Sequence, residues 1–427
     1  MIKKILTYSF GEMIVKGISF LALPFYSYLI LPEEYGVLGF LSSLTSFLPF
    51  IFTLYYLYAY VRFSVDVEDE ELLSTYFYMG LFLNMFYFVS AIILYFLLIK
   101  SYDIQLKYYI LSIGSSASVY LFQVLQVYYR SKGKSSEYLK FSIVYALGAL
   151  ALNFIFLLYF KDNILAMLLS SLFISIMASL VAYRVLKEYV KWEFYNFKLV
   201  VEVLKYSIPL VPGAIGLLLF SQSDKLVLAS YVSKEELGVY VMATTIGLAM
   251  GYLGRAFHMA YQPIFYGKIS ENKHDEIQEQ FWKNMILIML ASVGVLFIVY
   301  VAYQFIDRKY TEEMYVSFII ALTYTFVTFS QMMELHLTYA KRNALVSYIY
   351  VFGGVLTLVL LWVFIPTYGT EGAAIILYFT AMLTSILMYI VSQKILYIPY
   401  RKSFVLMFYL FMFGLMYIFI ESSKGIS

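Results

Sequence analysis

The chain is a succession of apolar stretches separated by short polar breaks. A helix needs about 20 predominantly apolar residues to cross the hydrocarbon core of a bilayer. Runs of that kind lie near 6–31, 37–61, 75–99, 106–129, 139–160, 164–186, 206–232, 238–265, 284–306, 314–339, 345–366, 371–393 and 403–420. Hydrophobic residues make up 62% of the 427 positions, charged residues 13%, and mean hydropathy is +0.79. A soluble domain of this size would need far more polar surface. The reading is therefore an all-α integral membrane protein with about 12–13 transmembrane helices. The last run is the shortest and is either a further span or a segment that stops short. The first is expected to stay in the protein, because no small-residue cleavage site follows it and a second span comes straight after.

Composition removes several function classes. Cysteine is absent, so there is no disulfide framework and no thiolate metal site. The three histidines, His258, His274 and His336, lack metal-ligand spacing, so no metal and no cofactor is expected. A net charge of +3 is too small for a nucleic-acid binder. Gly133-Lys-Ser has Tyr128 where a Walker motif needs glycine, so it is not a P-loop. Aromatic residues reach 20%, a level open to two readings: biased base composition of the gene, or interfacial belts and sugar-stacking surfaces.

Basic residues give the orientation. With Lys3 and Lys4 inside and the spans alternating, only Lys100, Lys107, Lys161, Lys234, Arg308, Lys309 and Lys424 fall outside. Lys16, Lys225 and Arg255 lie within spans, and the rest of the 30 Lys and Arg face inside. That asymmetry predicts a cytoplasmic N-terminus. The outer loops are all short, which argues against a membrane glycosyltransferase or polymerase with a large catalytic outer loop.

The sequence also repeats. Leu31-Pro-Glu-Glu-Tyr-Gly-Val joins spans 1 and 2, and Ser233-Lys-Glu-Glu-Leu-Gly-Val joins spans 7 and 8, so that Glu33, Glu34, Gly36 and Val37 map onto Glu235, Glu236, Gly238 and Val239 at one constant offset. Ser131-Lys-Gly-Lys and Ala340-Lys-Arg-Asn form a fainter second pair. Six spans per half give both halves the same orientation. The expected architecture is two pseudo-twofold-related six-helix bundles around a central cavity: lobes at 1–196 and 197–395, then an extra hydrophobic helix in 396–427. Between the lobes, Lys198, Glu202 and Lys205 share one face of a short helix and Leu199, Val200, Val203 and Leu204 take the other, the pattern of an interfacial helix.

Several of these segments resemble one family. Tyr206-Ser-Ile-Pro-Leu-Val-Pro-Gly-Ala, then Ser221-Gln-Ser-Asp-Lys-Leu-Val-Leu and Glu235-Glu-Leu-Gly-Val-Tyr, are similar to the span 7 region of polysaccharide flippases of the multidrug, oligosaccharidyl-lipid and polysaccharide exporter (MOP) superfamily. Leu23-Pro-Phe-Tyr, Pro32-Glu-Glu-Tyr-Gly, Gln262-Pro-Ile-Phe-Tyr and Tyr368-Gly-Thr-Glu-Gly-Ala-Ala extend the resemblance to about residue 400. The resemblance implies a transporter rather than an enzyme, one that flips a polyprenyl-pyrophosphate-linked oligosaccharide to the outer leaflet for O-antigen or capsule synthesis. Implied partners are that lipid-linked substrate, the bilayer, H+ or Na+ as a coupling ion, and the polymerase machinery. A small-molecule or multidrug antiporter of the same superfamily is the alternative.

Ionisable groups inside spans cost roughly 2.5–3.5 kcal/mol each on insertion scales and so mark function by default. Lys16, near mid-membrane, and Arg255 suit a pyrophosphate, with Lys225 and Arg62 as further cationic candidates. Glu12, Asp224 and Glu334 are the candidates for ion coupling or structural pairing. Glu12 sits one helical turn before Lys16, whereas Asp224 and Lys225 are sequence neighbours and are expected to point apart. Glu334 and His336 lie near the inner end of span 10, where a side chain is expected to reach the interface. Pro24 in span 1 and Pro209, Pro212 and Gly213 in span 7 interrupt equivalent helices and are the expected hinges.

Overall fold

The computed structural model describes residues 14–424, with side chains to 418. It is helical throughout these residues, in chain order α1 (Ile14–Leu29, broken at Ala22), α2 (Pro32–Phe52), α3 (Tyr56–Phe63), α4 (Asp69–Leu97), α5 (Leu106–Ser118), α6 (Tyr120–Ser131), α7 (Ser135–Tyr159), α8 (Asn163–Leu186), α9 (Phe197–Ser207), α10 (Val211–Leu228), α11 (Lys234–Gly247), α12 (Ala249–Ser270), α13 (His274–Tyr303), α14 (Met314–Tyr339), α15 (Asn343–Ile395) and α16 (Lys402–Lys424). Among the described residues ten helical stretches are long and apolar enough to span a membrane. One of them, α15, holds two of the expected spans, divided at Gly369, whose φ of 51° and ψ of −137° are open to glycine and strained for other residues.

Lipid-facing stripes support the multi-pass reading. On α4, Phe82, Met85, Val89, Ile93 and Phe96 are all more than half exposed, and on α15 so are Tyr348, Phe352, Val359 and Trp362. Spacings of three, four and seven put each set on one helix face, an apolar surface of the kind that a bilayer covers.

The chain forms two compact units. One joins the segment ending at Gly36 to everything from Leu219 onward, and the other runs from Val37 to Leu218. The first helix therefore clusters with the second repeat, and the linker helix with the first. In the Val37–Leu218 unit the core is aromatic: Tyr56, Tyr60 and Tyr76 are buried with Leu72, Tyr128 and the inner face of α9, namely Leu199, Val200 and Val203. The amphipathic pattern read for this linker thus lays its apolar face on α3 and α4. In the other unit, α14 packs closely on α12 because Gly251 and Gly254 carry no side chain there: a Cβ would stand 2.7 Å from the Tyr324 ring and 2.1 Å from Thr328 Oγ1. The run at 403–420 forms a full helix, α16, held by Phe408 against Phe326 and Phe329 and by a 2.7 Å hydrogen bond between Tyr409 and Ser385.

The expected hinge prolines sit at helix breaks. Pro24 opens the second segment of α1 just after the turn at Ala22. Pro209 lies in a 3-10 turn, Ile208–Leu210, between α9 and α10, with Pro212 and Gly213 in the first turn that follows. A proline offers no N–H to the preceding turn, so the ladder lapses where these residues fall.

Candidate functional site

The repeated segments meet each other. At the start of α2 the Leu31 N–H donates to Glu34 Oε2 at 2.8 Å. At the start of α11 the Ser233 N–H donates to Glu236 Oε2 at 3.2 Å, while Ser233 Oγ accepts from the Glu236 N–H at 3.1 Å, a complete capping box. The second glutamate of each duplicated pair thus caps its own helix. Beyond the caps the two helices cross at glycines. A Cβ on Gly36 would lie 2.0 Å from the Lys234 carbonyl oxygen, and one on Gly238 would lie 1.7 Å from that of Pro32. Lys234 is the repeat equivalent of Pro32, as Gly238 is of Gly36. Equivalent residues of the two repeats thus make reciprocal contacts, Gly36 with Lys234 and Gly238 with Pro32.

Close to this crossing, α1 ends against the segment before α14. Ser27 Oγ accepts from the Asp307 N–H at 3.0 Å, and the Tyr310 hydroxyl donates to the Ile30 carbonyl at 3.0 Å. Glu313, just before α14, accepts a 2.6 Å hydrogen bond from Thr370 on Oε1, while its Oε2 is buried without a hydrogen-bond partner among the described residues. Burial, aided by the nearby Glu236 and Glu312 carboxylates, pushes its pKa up to about 7. An acid whose folded value is raised binds its proton more tightly when folded, so this stabilisation is complete below pH 4.5 and lost as pH rises through 7. Purified Glu313→Gln protein should therefore melt above the parent at pH 8 and come level with it by pH 4. Parallel melting curves across that range would contradict the assignment.

Deeper in the same unit the sequence candidates gather around tyrosines. Lys16 on α1 and Arg255 on α12 are both exposed side chains. Lys16 Nζ stands 5.6 Å from the centroid of the Tyr252 ring, a cation–π distance. The Arg255 guanidinium interacts electrostatically with Tyr252, one turn earlier on its own helix, and with Tyr324 of α14. Tyr324 also lines a small cavity, of about 20 Å³ for the centre of a water-sized sphere, together with Asp224, Lys225, Ser221, Thr244 and Thr323. Here one expectation is corrected. Asp224 and Lys225 do not point apart: Lys225 Nζ lies 3.4 Å from Asp224 Oδ1 and 3.5 Å from Oδ2. Both residues are buried, and the long lysine side chain folds back on its neighbour because the carboxylate is the partner within reach. The Tyr240 hydroxyl from α11 donates to Asp224 Oδ2 at 2.8 Å.

The other candidates lie elsewhere. Arg62 belongs to the Val37–Leu218 unit, more than half exposed and paired with Asp66 one turn on. Glu334 and His336 are turned inward rather than toward the interface. Glu334 accepts from the Tyr350 hydroxyl at 2.9 Å, and His336, fully buried, holds the Tyr400 hydroxyl at 2.8 Å against the ring of Phe265. Packing of α14 against α15 and the Ile398–Tyr400 segment supplies partners that no local pattern announces. Glu12 lies outside the described residues. Tyr240, Tyr252 and Tyr324 were not singled out by sequence, because 45 tyrosines leave none distinctive. No group of three or more His, Cys, Asp or Glu among the described residues could hold a metal ion.

Comparison with known proteins places this architecture. A solved structure described as the inward-facing conformation of a multidrug resistance MATE family transporter of the MOP superfamily superposes with a TM-score of 0.73 at 13% identity, covering 90% of this chain and 97% of that one. A MOP superfamily transporter from Pyrococcus furiosus, described as having a binding pocket of reverse polarity, superposes at 0.61 with 12% identity over 92% and 95%. The fold is the all-helical, multi-pass one seen in these MOP superfamily transporters. The family model for polysaccharide biosynthesis protein matches residues 1–266, and the chain belongs to that family. A curated relative, "Lsg locus putative protein 1" of Haemophilus influenzae, is 26% identical over 281 residues; the match covers 62% of this chain and 66% of the relative's own length.

Proposed function

We propose that the protein carries a polyprenyl-pyrophosphate-linked oligosaccharide from the cytoplasmic to the outer leaflet of the inner membrane, by alternating access, ahead of its assembly into O-antigen, capsule or a similar polymer. Family membership supports the pathway, and the observation that carries the substrate class is the placement of Lys16 and Arg255. Lys16 on α1 and Arg255 in the membrane-length stretch Lys234–Ser270 both expose their side chains around one tyrosine, Tyr252. A pyrophosphate leaving water needs fixed positive charge along its route, and an arginine fork with a lysine point charge matches its oxygens. Tyrosine faces beside them suit stacking on sugar rings. Two six-helix lobes with a cytoplasmic N-terminus, bending at Pro24, Pro209, Pro212 and Gly213, complete the proposed machine.

The rival reading, a cation-exporting multidrug antiporter, calls for an available deep carboxylate. Among the described residues, buried Asp224 already holds a lysine and a tyrosine and Glu334 holds a tyrosine, which favours the anionic substrate. Deletion of the gene, in a strain without a second flippase, should abolish surface polymer while lipid-linked repeat units build up on the cytoplasmic face. Normal polymer in that strain, or sensitivity to drugs with polymer unchanged, would overturn the proposal.

A further inference from the structure

A carboxylate as buried as Asp224, 1% exposed, has to be neutralised by a proton, a mobile cation or a fixed one. The Tyr240 hydroxyl supplies a hydrogen bond but no charge. The geometry points to a fixed cation: we propose that the Lys225 ammonium is a tethered counter-ion seated where an alkali cation would otherwise bind, so that Asp224 exchanges no metal ion during transport.

Three features carry this. First, Nζ is nearly equidistant from the two carboxylate oxygens, at 3.4 and 3.5 Å. It sits astride the group, as a metal ion bound by both oxygens does, rather than end-on to one of them. Second, the surroundings are oxygen-rich. Ser221, Thr244, Thr323 and Tyr324 line the cavity beside Asp224, and each carries a hydroxyl, the hard ligand type that alkali and alkaline-earth cations take; those of Thr244 and Thr323 donate to the Val241 and Ile319 carbonyls and keep their lone pairs for a cation. Third, the remaining space, about 20 Å³ for the centre of a water-sized sphere, admits one water. With the ammonium in place no room is left for a hydrated ion; with the lysine head removed, the vacated volume and the five oxygen-bearing side chains would form a small cation site. An ordinary buried ion pair explains the pairing but makes no prediction about which ions the mutant would choose.

The test is thermal unfolding of the purified full-length protein in detergent, in sodium chloride, potassium chloride or choline chloride at equal ionic strength. Parent protein should melt at the same temperature in all three. Lys225→Met, which keeps the stem and removes the charge, should melt low in choline and recover by several degrees, saturably, in sodium. Asp224→Asn with Lys225→Met should lose that response, because no charge remains to attract the ion. Sodium-selective stabilisation of the parent that vanishes in Asp224→Asn would overturn the proposal, since the lysine would then not exclude the ion. A folded Lys225→Met that does not distinguish sodium or potassium from choline would overturn it too. So would a Lys225→Met that accumulates in no salt while the double variant folds. If neither variant accumulates, the parent decides: equal melting in all three salts with no bound radioactive sodium supports the tethered ion, and saturable sodium binding rejects it.

Discussion

Replacing Gly238 with alanine should be among the most damaging single-methyl additions in the protein. The added carbon would stand 1.7 Å from the Pro32 carbonyl oxygen, and the obstacle is backbone, which cannot swing aside as a side chain does. The crossing helices would have to separate, taking with them the capped turns at Ser233 and Leu31. Overpacking of a tight core typically costs about 1–3 kcal/mol, and a clash with helix backbone belongs at the upper end or beyond. Gly36→Ala should behave alike, because its Cβ would meet the Lys234 carbonyl oxygen at 2.0 Å. Gly267→Ala, with nothing within 4 Å, is the control and should be silent. The measurement is the yield of monodisperse protein by fluorescence-detected size exclusion, with surface polymer scored in parallel. Parent-like yield and polymer in both Gly36→Ala and Gly238→Ala would show that the repeats do not meet at these glycines.

Loss of the exposed cations should leave the fold intact and remove transport. A hydrogen bond to a charged group contributes about 1.5–3 kcal/mol, so Arg255→Ala or Lys16→Ala should lower the flipping rate roughly 10- to 100-fold, with normal protein levels. Lys16→Arg should keep much of the activity, since it preserves charge at that point on the helix. The competing view is that Lys16 serves only to neutralise Glu12, one turn away in sequence. Under that view the double variant Glu12→Ala with Lys16→Ala would recover function, because neither charge is left unpaired. Under ours it stays inactive. Recovery in the double variant together with full activity of Arg255→Ala would remove both cations from the substrate path. Translocation of a lipid-linked oligosaccharide in reconstituted vesicles gives the rate directly, and surface polymer gives the cellular readout.

How much of this was written in the sequence varies with the range of the interaction. Spans were legible because a bilayer imposes a length and a composition on any helix that crosses it, and the apolar runs from 37–61 onward proved to be mainly helical, although 37–61 is broken at residues 53–55, where Leu54 and Tyr55 are left-handed. The linker helix at 197–207 was legible from four apolar residues on one face. Breaks at Pro24 and Pro209 were legible because a missing N–H is a property of the residue itself. The repeat was legible as a constant offset, but its meaning was not: nothing in two similar heptapeptides says that they touch.

Pairings across helices were decided by tertiary structure alone. Lys225 folds onto Asp224 because α10, α11 and α14 enclose both, whereas helix geometry by itself sends neighbours in different directions. His336 and Glu334 find Tyr400 and Tyr350 only once α15 and the chain after it pack on α14. The tyrosines that join Lys16, Arg255 and the Asp224 pair were invisible among so many. A local sequence fixes how a helix meets lipid and where it bends, since those depend on the helix and the solvent. It leaves open which buried charge meets which, since that depends on segments hundreds of residues apart being brought together by packing.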